Sequence, residues 1–288
     1  MPIQAHAPIP KFFYGTAWKE DRTAALTERA LQAGFRALDT ANQRRHYFEE
    51  GVGLGLAAAY RAGLVTRDDL FLQTKFTYLR GQDHRLPYDP AASLGEQVAQ
   101  SLASSLAHLG TDHLDSYLLH GPSSNYDWTD DDAEVWEAMR KEREAGRAHR
   151  LGVSNVSLRH LERLSETRSE LPTFVQNRCY ARLGWDRDIR EFCHEHKILY
   201  QGFSLLTANQ DVLYHPLIRN LISSGPVINR TGKTSNVTPA QIIFAFARAI
   251  EILPLTGTSN ADHMQQDLAS HDLTLSLDAV RAIESIAG

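Results

Sequence analysis

Three residues with titratable side chains close apolar runs in this sequence. Asp39 closes Ala37-Leu38-Asp39-Thr40-Ala41, Lys75 closes Leu72-Gln73-Thr74-Lys75-Phe76, and His120 closes Tyr117-Leu118-Leu119-His120-Gly121-Pro122. A charge in that position must be paired or used, because Lys and Asp are seldom fully buried without a partner. If the runs of Asp39 and Lys75 lie side by side, the two form an ion pair. Alone, that pair suits a structural role as well as a catalytic one. An imidazole from His120 beside it adds a group that can hold and pass a proton near neutral pH. Other apolar runs end on Ser154-Asn155, Asn177, Phe203 and Thr256-Gly257-Thr258-Ser259, an unusually polar set.

These residues meet only if their runs are strands of one sheet. Eight such runs recur: Phe12 to Ala17, Arg36 to Thr40, Leu70 to Phe76, Leu114 to His120, Arg150 to Ser154, Phe174 to Cys179, Ile198 to Phe203 and Ile252 to Leu255. Between them lie amphipathic stretches, among them Thr23 to Ala33, Ala92 to His108, Asp132 to Ala145, Leu158 to Glu166 and Pro239 to Ala249. Strand and helix in alternation are the signature of βα units. Leu94, Val98, Leu102, Leu106 and Leu109 recur at steps of three and four and predict one buried helical stripe. Pro239 after Thr238 marks a helix start. Eight units predict a closed (β/α)8 barrel in a single domain spanning 1–288. No Gly-x-Gly-x-x-Gly follows the first run, which argues against an open dinucleotide-binding sheet. Barrels of this kind build their sites at the C-terminal ends of the strands, where the polar residues above fall. Thr207 to Val237, the longest stretch without a clear pattern, is expected to be a functional loop with short helical pieces.

Composition narrows the function classes. The 288 residues carry a formal net charge of −5, with 42% hydrophobic and 23% charged residues, enough to bury a full core. The longest apolar stretch, Ile242 to Ala247, has six residues, far short of the roughly 20 a membrane helix requires. Scattered basic residues offer no stripe for nucleic acid. Met1 to His6 shows no basic segment followed by an apolar run, so a cytoplasmic location is expected. Cys179 and Cys193 lack metal or disulfide spacing. In His194-Glu195-His196 the two imidazoles point to different faces of a helix, and no metal is expected there.

The chain resembles the aldo-keto reductase superfamily over essentially its whole length. The resemblance rests on Gly15-Thr16-Ala17-Trp18, Leu38-Asp39-Thr40-Ala41, Gln73-Thr74-Lys75, Leu118-Leu119-His120-Gly121-Pro122, Gly152-Val153-Ser154-Asn155, Thr238-Pro239-Ala240-Gln241, and Pro254 with Gly257-Thr258-Ser259, in that order. It implies a barrel that binds NADP(H) in extended form at its mouth and interconverts carbonyls and alcohols of small-molecule substrates through an Asp, Tyr, Lys, His tetrad. Asp39, Lys75 and His120 match three of the four. The tyrosine departs from the pattern. Five residues after Asp39 stands Arg44, and counting back from Glu49-Glu50-Gly51-Val52-Gly53 reaches His46, with Tyr47 one residue further on. Tyr47 is taken as the acid, with Lys75 expected to lower its pKa. His46 is the competing choice, and Arg44-Arg45-His46 reads as a solvated loop or an anion site.

The resemblance also implies a cofactor contact set. It comprises Thr16, Ser154, Asn155, Asn177 in place of the family's glutamine, Phe203 and Leu205, and at the adenosine end Gly257, Thr258, Ser259, His263, Gln266 and Asp267. Gln176 precedes Asn177 on the opposite strand face. His263 stands where an arginine commonly grips a 2′-phosphate, so NADP(H) is favoured while NAD(H) stays open. Trp18, His46 and Trp128 are expected to line the substrate pocket. Two other readings stand beside carbonyl reduction: a redox-neutral isomerase or lyase using Asp39, Lys75 and His120, and a nicotinamide-binding subunit with little turnover.

Overall fold

The computed structural model describes residues 8–167, 170–224, 227–229 and 237–287. All eight expected strands form. They close into a barrel in sequence order except for one small strand outside it. The chain divides into two compact units, Met1–Val175 and Gln176–Gly288.

The first unit runs β1 (Phe13–Gly15), α1 (Thr23–Ala33), β2 (Ala37–Asp39), α2 (Glu49–Arg61), β3 (Phe71–Phe76), α3 (Leu94–Leu109), β4 (Leu114–Leu119), α4 (Asp130–Glu144), β5 (Ala148–Ser154) and α5 (Leu158–Glu166). Neighbouring strands pair in parallel, with Gly15 opposite Asp39, Asp39 opposite Gln73, and Lys75 opposite Leu118. Every residue of β2, β3 and β4 is buried, as expected for parallel strands covered on both faces. Side-chain caps start α3, α4 and α5. Ser93 with Glu96, Thr129 with Asp132 and Ser157 with His160 each form a reciprocal capping box. The buried stripe of α3 is Gln97, Val98, Ser101, Leu102, Ser105 and Leu109, so Leu94 and Leu106 of the expected stripe are only half-buried.

The second unit contains β6 (Phe174–Arg178), which starts two residues before the unit boundary, then α6 (Arg187–Glu195), β7 (Leu199–Phe203), α7 (Gln210–Leu213), α8 (Pro216–Ser224), β8 (Val227–Asn229), α9 (Pro239–Ala249), β9 (Leu253–Thr256), α10 (Ala261–Ala269), β10 (Leu273–Leu275) and α11 (Leu277–Glu284). Strands β7 and β9 pair in parallel, while β8 and β10 form a separate antiparallel pair. The expected loop from Thr207 to Val237 thus holds two helices and a strand, and its residues 230–236 lie outside the described residues. So does the N-terminal stretch Met1 to His6. Thr238 caps α9 through Gln241, with Pro239 in the first turn. Among the described residues no helix is long and apolar enough to cross a membrane.

Helix α2 follows the loop that carries Tyr47, and its seat on α3 fixes where that loop ends. Gly53 makes the seat close, since a Cβ there would run into the His108 carbonyl oxygen of α3. Overpacking against backbone cannot be relieved by a rotamer change. Gly53→Ala is therefore expected to destabilise the protein by roughly 1–3 kcal/mol or more, read as a lower urea midpoint with an unchanged slope.

Candidate active site

The Lys75 amine lies 2.7 Å from both carboxylate oxygens of Asp39 and 2.8 Å from the Thr40 carbonyl. Both residues are buried, Lys75 at 1% and Asp39 at 3% exposure. Burial draws the ammonium pKa down, and Asp39 opposes that pull. Gln73 donates its amide to the same carboxylate at 2.7 Å. Strand alternation explains this set: Gln73 and Lys75 share one face of β3, while Thr74, between them, hydrogen-bonds Glu49 at the start of α2. Thr16 donates to the Asp39 carbonyl at 3.0 Å and is buried, so its hydroxyl joins β1 to β2 instead of facing a ligand.

Tyr47 sits over this pair. The Lys75 amine is 5.4 Å from its ring centroid, and its ring meets that of His120 edge-on at 5.8 Å. His46 turns elsewhere and stacks on Trp18 at 4.1 Å. Burial and the Arg45 guanidinium lower the His46 pKa. The expectation that Lys75 lowers the Tyr47 pKa fails. Burial, with the Asp39 charge adding, raises it. His120 is pushed down to about 3 by burial, with Lys75 and His46 adding, so its ring is neutral at physiological pH. Its Nδ1 lies 2.7 Å from the Thr77 hydroxyl. Tyr47 also lines a cavity of about 300 Å³ with Asn42, Arg44, Arg85, Ser104 and His108. In the loop read as an anion site, Arg44 pairs with Glu20 at 3.3 Å.

Ser154 and Asn155 end β5. The Asn155 amide donates to the His120 carbonyl at 2.7 Å, tying the ends of β4 and β5, with the residue held at φ 55°. Trp18 is 66% exposed, whereas Trp128 is buried edge-on against Trp136 of α4. Trp128 therefore braces its loop rather than presenting a wall for substrate. Tyr126 is the exposed aromatic of that loop.

In the second unit, the strand faces differ from the expectation. Asn177 donates to Asp186, which the Tyr200 hydroxyl also reaches, at 3.1 and 2.8 Å. Asp186 directly precedes α6, so this is the outer face. Gln176, paired with Gln201 at 2.9 Å, occupies the inner one. Phe203 is half-buried with the Arg178 guanidinium over its ring. Leu205 is buried and its carbonyl accepts from Asn209, so it supports the loop. After β9, Asn260 caps α10 by accepting from the backbone of Asp262 and His263. Those two amides are thus already engaged within the chain. Gly257, Ser259 and His263 are exposed, and Thr258 and Gln266 half-buried. Asp267 is not: its buried carboxylate accepts from Thr256 at 2.7 Å.

The model of the Aldo/keto reductase family matches residues 12–287. The chain belongs to this family. It is 30% identical to a (1S)-1,7-diacetoxy-luvungin A aldo-keto reductase of Citrus sinensis, over 96% of this chain and 86% of that protein. It is 29% identical to an NAD/NADP-dependent indole-3-acetaldehyde reductase of Schizosaccharomyces pombe, over 93% and 87%. The crystal structure of an aldo/keto reductase from Brucella melitensis superposes with a TM-score of 0.77 at 26% identity, covering 96% of this chain and 93% of that one. Its relatives thus place this oxidoreductase among enzymes acting on carbonyl compounds.

Sequence reasoning did not single out Gln73, which meets Asp39, or Thr77, which meets His120. Alternation from Lys75 could have found Gln73 and Thr77, two residues away on either side. Two outcomes follow from the buried carboxylates. Asp39→Asn leaves the Lys75 charge buried without its counter-ion and is expected to cost about 3–5 kcal/mol; Asp39→Asn with Lys75→Met should cost less than the two changes summed, in urea unfolding. For Asp267, burial raises the pKa from 3.8 to about 7. The unfolded chain therefore loses this proton at lower pH than the folded one, and stability falls as pH rises from about 4 to about 7. Asp267→Asn should flatten that decline in melting curves recorded across the window.

Proposed function

We propose that this aldo/keto reductase is an NADP(H)-dependent carbonyl reductase, with Tyr47 as the general acid toward an aldehyde or ketone. One observation carries the reading: the Tyr47 ring lies against both the Lys75 amine and the His120 imidazole. NADPH, when bound, supplies the hydride that reduces the carbonyl carbon. In the first unit Ser154 and Asn155 are suited to hold a carboxamide; in the second the Gln176 amide has the same chemistry and the half-buried Phe203 ring offers an apolar face to stack on. At the adenosine end, Thr258, Ser259 and His263 are the side chains that can meet a 2′-phosphate, and the resemblance to a relative named for both nucleotides leaves room for NADH.

The chain's own chemistry is proton delivery. Reduction leaves negative charge on the former carbonyl oxygen, a far stronger base than a phenolate, so a phenol that stays protonated through neutral pH is an effective donor. Burial keeps Tyr47 in that state. Once the proton has moved, the O–H bond of the product has formed and a phenolate remains on Tyr47 until solvent returns a proton. A neutral His120 can donate one hydrogen bond to the same oxygen and hold it in line.

Tyr47→Phe is expected to reduce NADPH-dependent turnover of a responsive aldehyde roughly 10²- to 10⁴-fold, with nucleotide affinity by fluorescence titration nearly unchanged. His46→Ala should remain close to the parent protein. Full turnover in Tyr47→Phe with loss in His46→Ala moves the acid role to His46. A titration in which neither NADPH nor NADH binds turns the reading toward redox-neutral chemistry at Asp39, Lys75 and His120.

A further inference from the structure

Thr77 is the third residue on the Gln73–Lys75 face, just past the end of β3, and its hydroxyl lies 2.7 Å from His120 Nδ1. We infer that Thr77 is a positioning residue that locks His120 into the tautomer with the proton on Nε2, so that the imidazole presents a donor and not an acceptor to the carbonyl oxygen. The inference rests on the reductase reading for its purpose, though not for its test.

The direction of the hydrogen bond follows from counting protons. Thr77 is buried, and among the described residues its side-chain oxygen has this one partner. If Nδ1 carried the proton and donated, the hydroxyl would accept it and its own proton would be left unpaired in the interior, at a cost of about 1–3 kcal/mol. If the hydroxyl donates, both groups are satisfied and Nδ1 is the acceptor. A neutral imidazole has one N–H, so the proton must then be on Nε2. His120 is neutral across the working range, which leaves tautomer choice as the variable that matters.

The threonine is itself held from three sides. Its carbonyl accepts from the Tyr88 hydroxyl at 2.8 Å and from Gln82 at 3.3 Å. Its methyl lies where a Cβ on Gly81 would be only 2.7 Å away, so the glycine makes room for this rotamer. The Gly81 carbonyl in turn accepts from Gln43, in the loop leading to Tyr47. One short segment thus fixes both the His120 tautomer and the approach of the general acid.

The tautomer can be read without substrate or turnover by long-range ¹H–¹⁵N correlation spectra of histidine-labelled protein, with His120 assigned from a His120→Asn variant. The parent protein is expected to show His120 in the Nε2–H form alone. Thr77→Ser, which keeps the hydroxyl, should preserve it; Thr77→Val, which keeps the shape, should yield a mixture with the Nδ1–H form. In turnover, Thr77→Val should lower kcat roughly 10- to 100-fold with nucleotide affinity unchanged, and Thr77→Ser should recover most of it. An Nδ1–H form in the parent, or an unaltered tautomer in Thr77→Val, overturns the inference. Absence of carbonyl reduction in the parent overturns the reductase reading instead, and the spectra distinguish the two.

Discussion

A lysine amine inside a barrel must be neutralised where it stands, and much of the site follows from that demand. The cost of removing an ammonium from water is several kcal/mol, offset only when the partner's geometry is good and the remaining protons are hydrogen-bonded. Here both carboxylate oxygens of Asp39 and the Thr40 carbonyl meet the Lys75 amine, and Gln73 meets the carboxylate. The pairing ties β2 to β3 at their C-terminal ends, in the register that sets Asp39 opposite Gln73. It also sets the electrostatics above it. The Asp39 charge adds to burial in raising the Tyr47 pKa.

The second constraint is the loop between β2 and α2, which sets the Tyr47 ring over that pair. Its backbone is pinned by side chains from outside the loop and by its own. Gln43 donates to the Gly81 carbonyl, Asn42 to the Ser101 carbonyl of α3, and Gln82 to the Asn42 carbonyl. The Trp18 amide donates to the His46 carbonyl at 2.7 Å, which holds His46 on the Trp18 side and leaves Tyr47 turned to Lys75. A loop anchored at so many points delivers a side chain about as reproducibly as a strand end does. That anchoring accommodates the shift of one residue between the two candidates.

Both compact units obey the same rule of alternation, with different legibility. Along β3 the inner face can be counted outward from Lys75, whose charge identifies it, and Gln73 and Thr77 follow. Along β6 no buried charge marks a face, since Arg178 at its end is exposed, and Gln176-Asn177 offers two adjacent amides of like chemistry. Only Asp186 before α6, which collects Asn177 and Tyr200, shows which face is outer.

The sequence by itself determined the eight strands, the polar residues at their ends, five of the helices, and the family. These are local properties: hydrophobic period, a proline at a helix start, and a charge where an apolar run stops. Tertiary structure decided the rest. It turned Tyr47 toward Lys75 and His46 toward Trp18 through contacts from Trp18, Gly81 and α3, residues distant in sequence. It buried Trp128 against Trp136, engaged Asp267 with Thr256, and let Asn260 take the α10 amides. Each outcome depends on which neighbour reaches a side chain first, and that is a property of packing no single segment encodes.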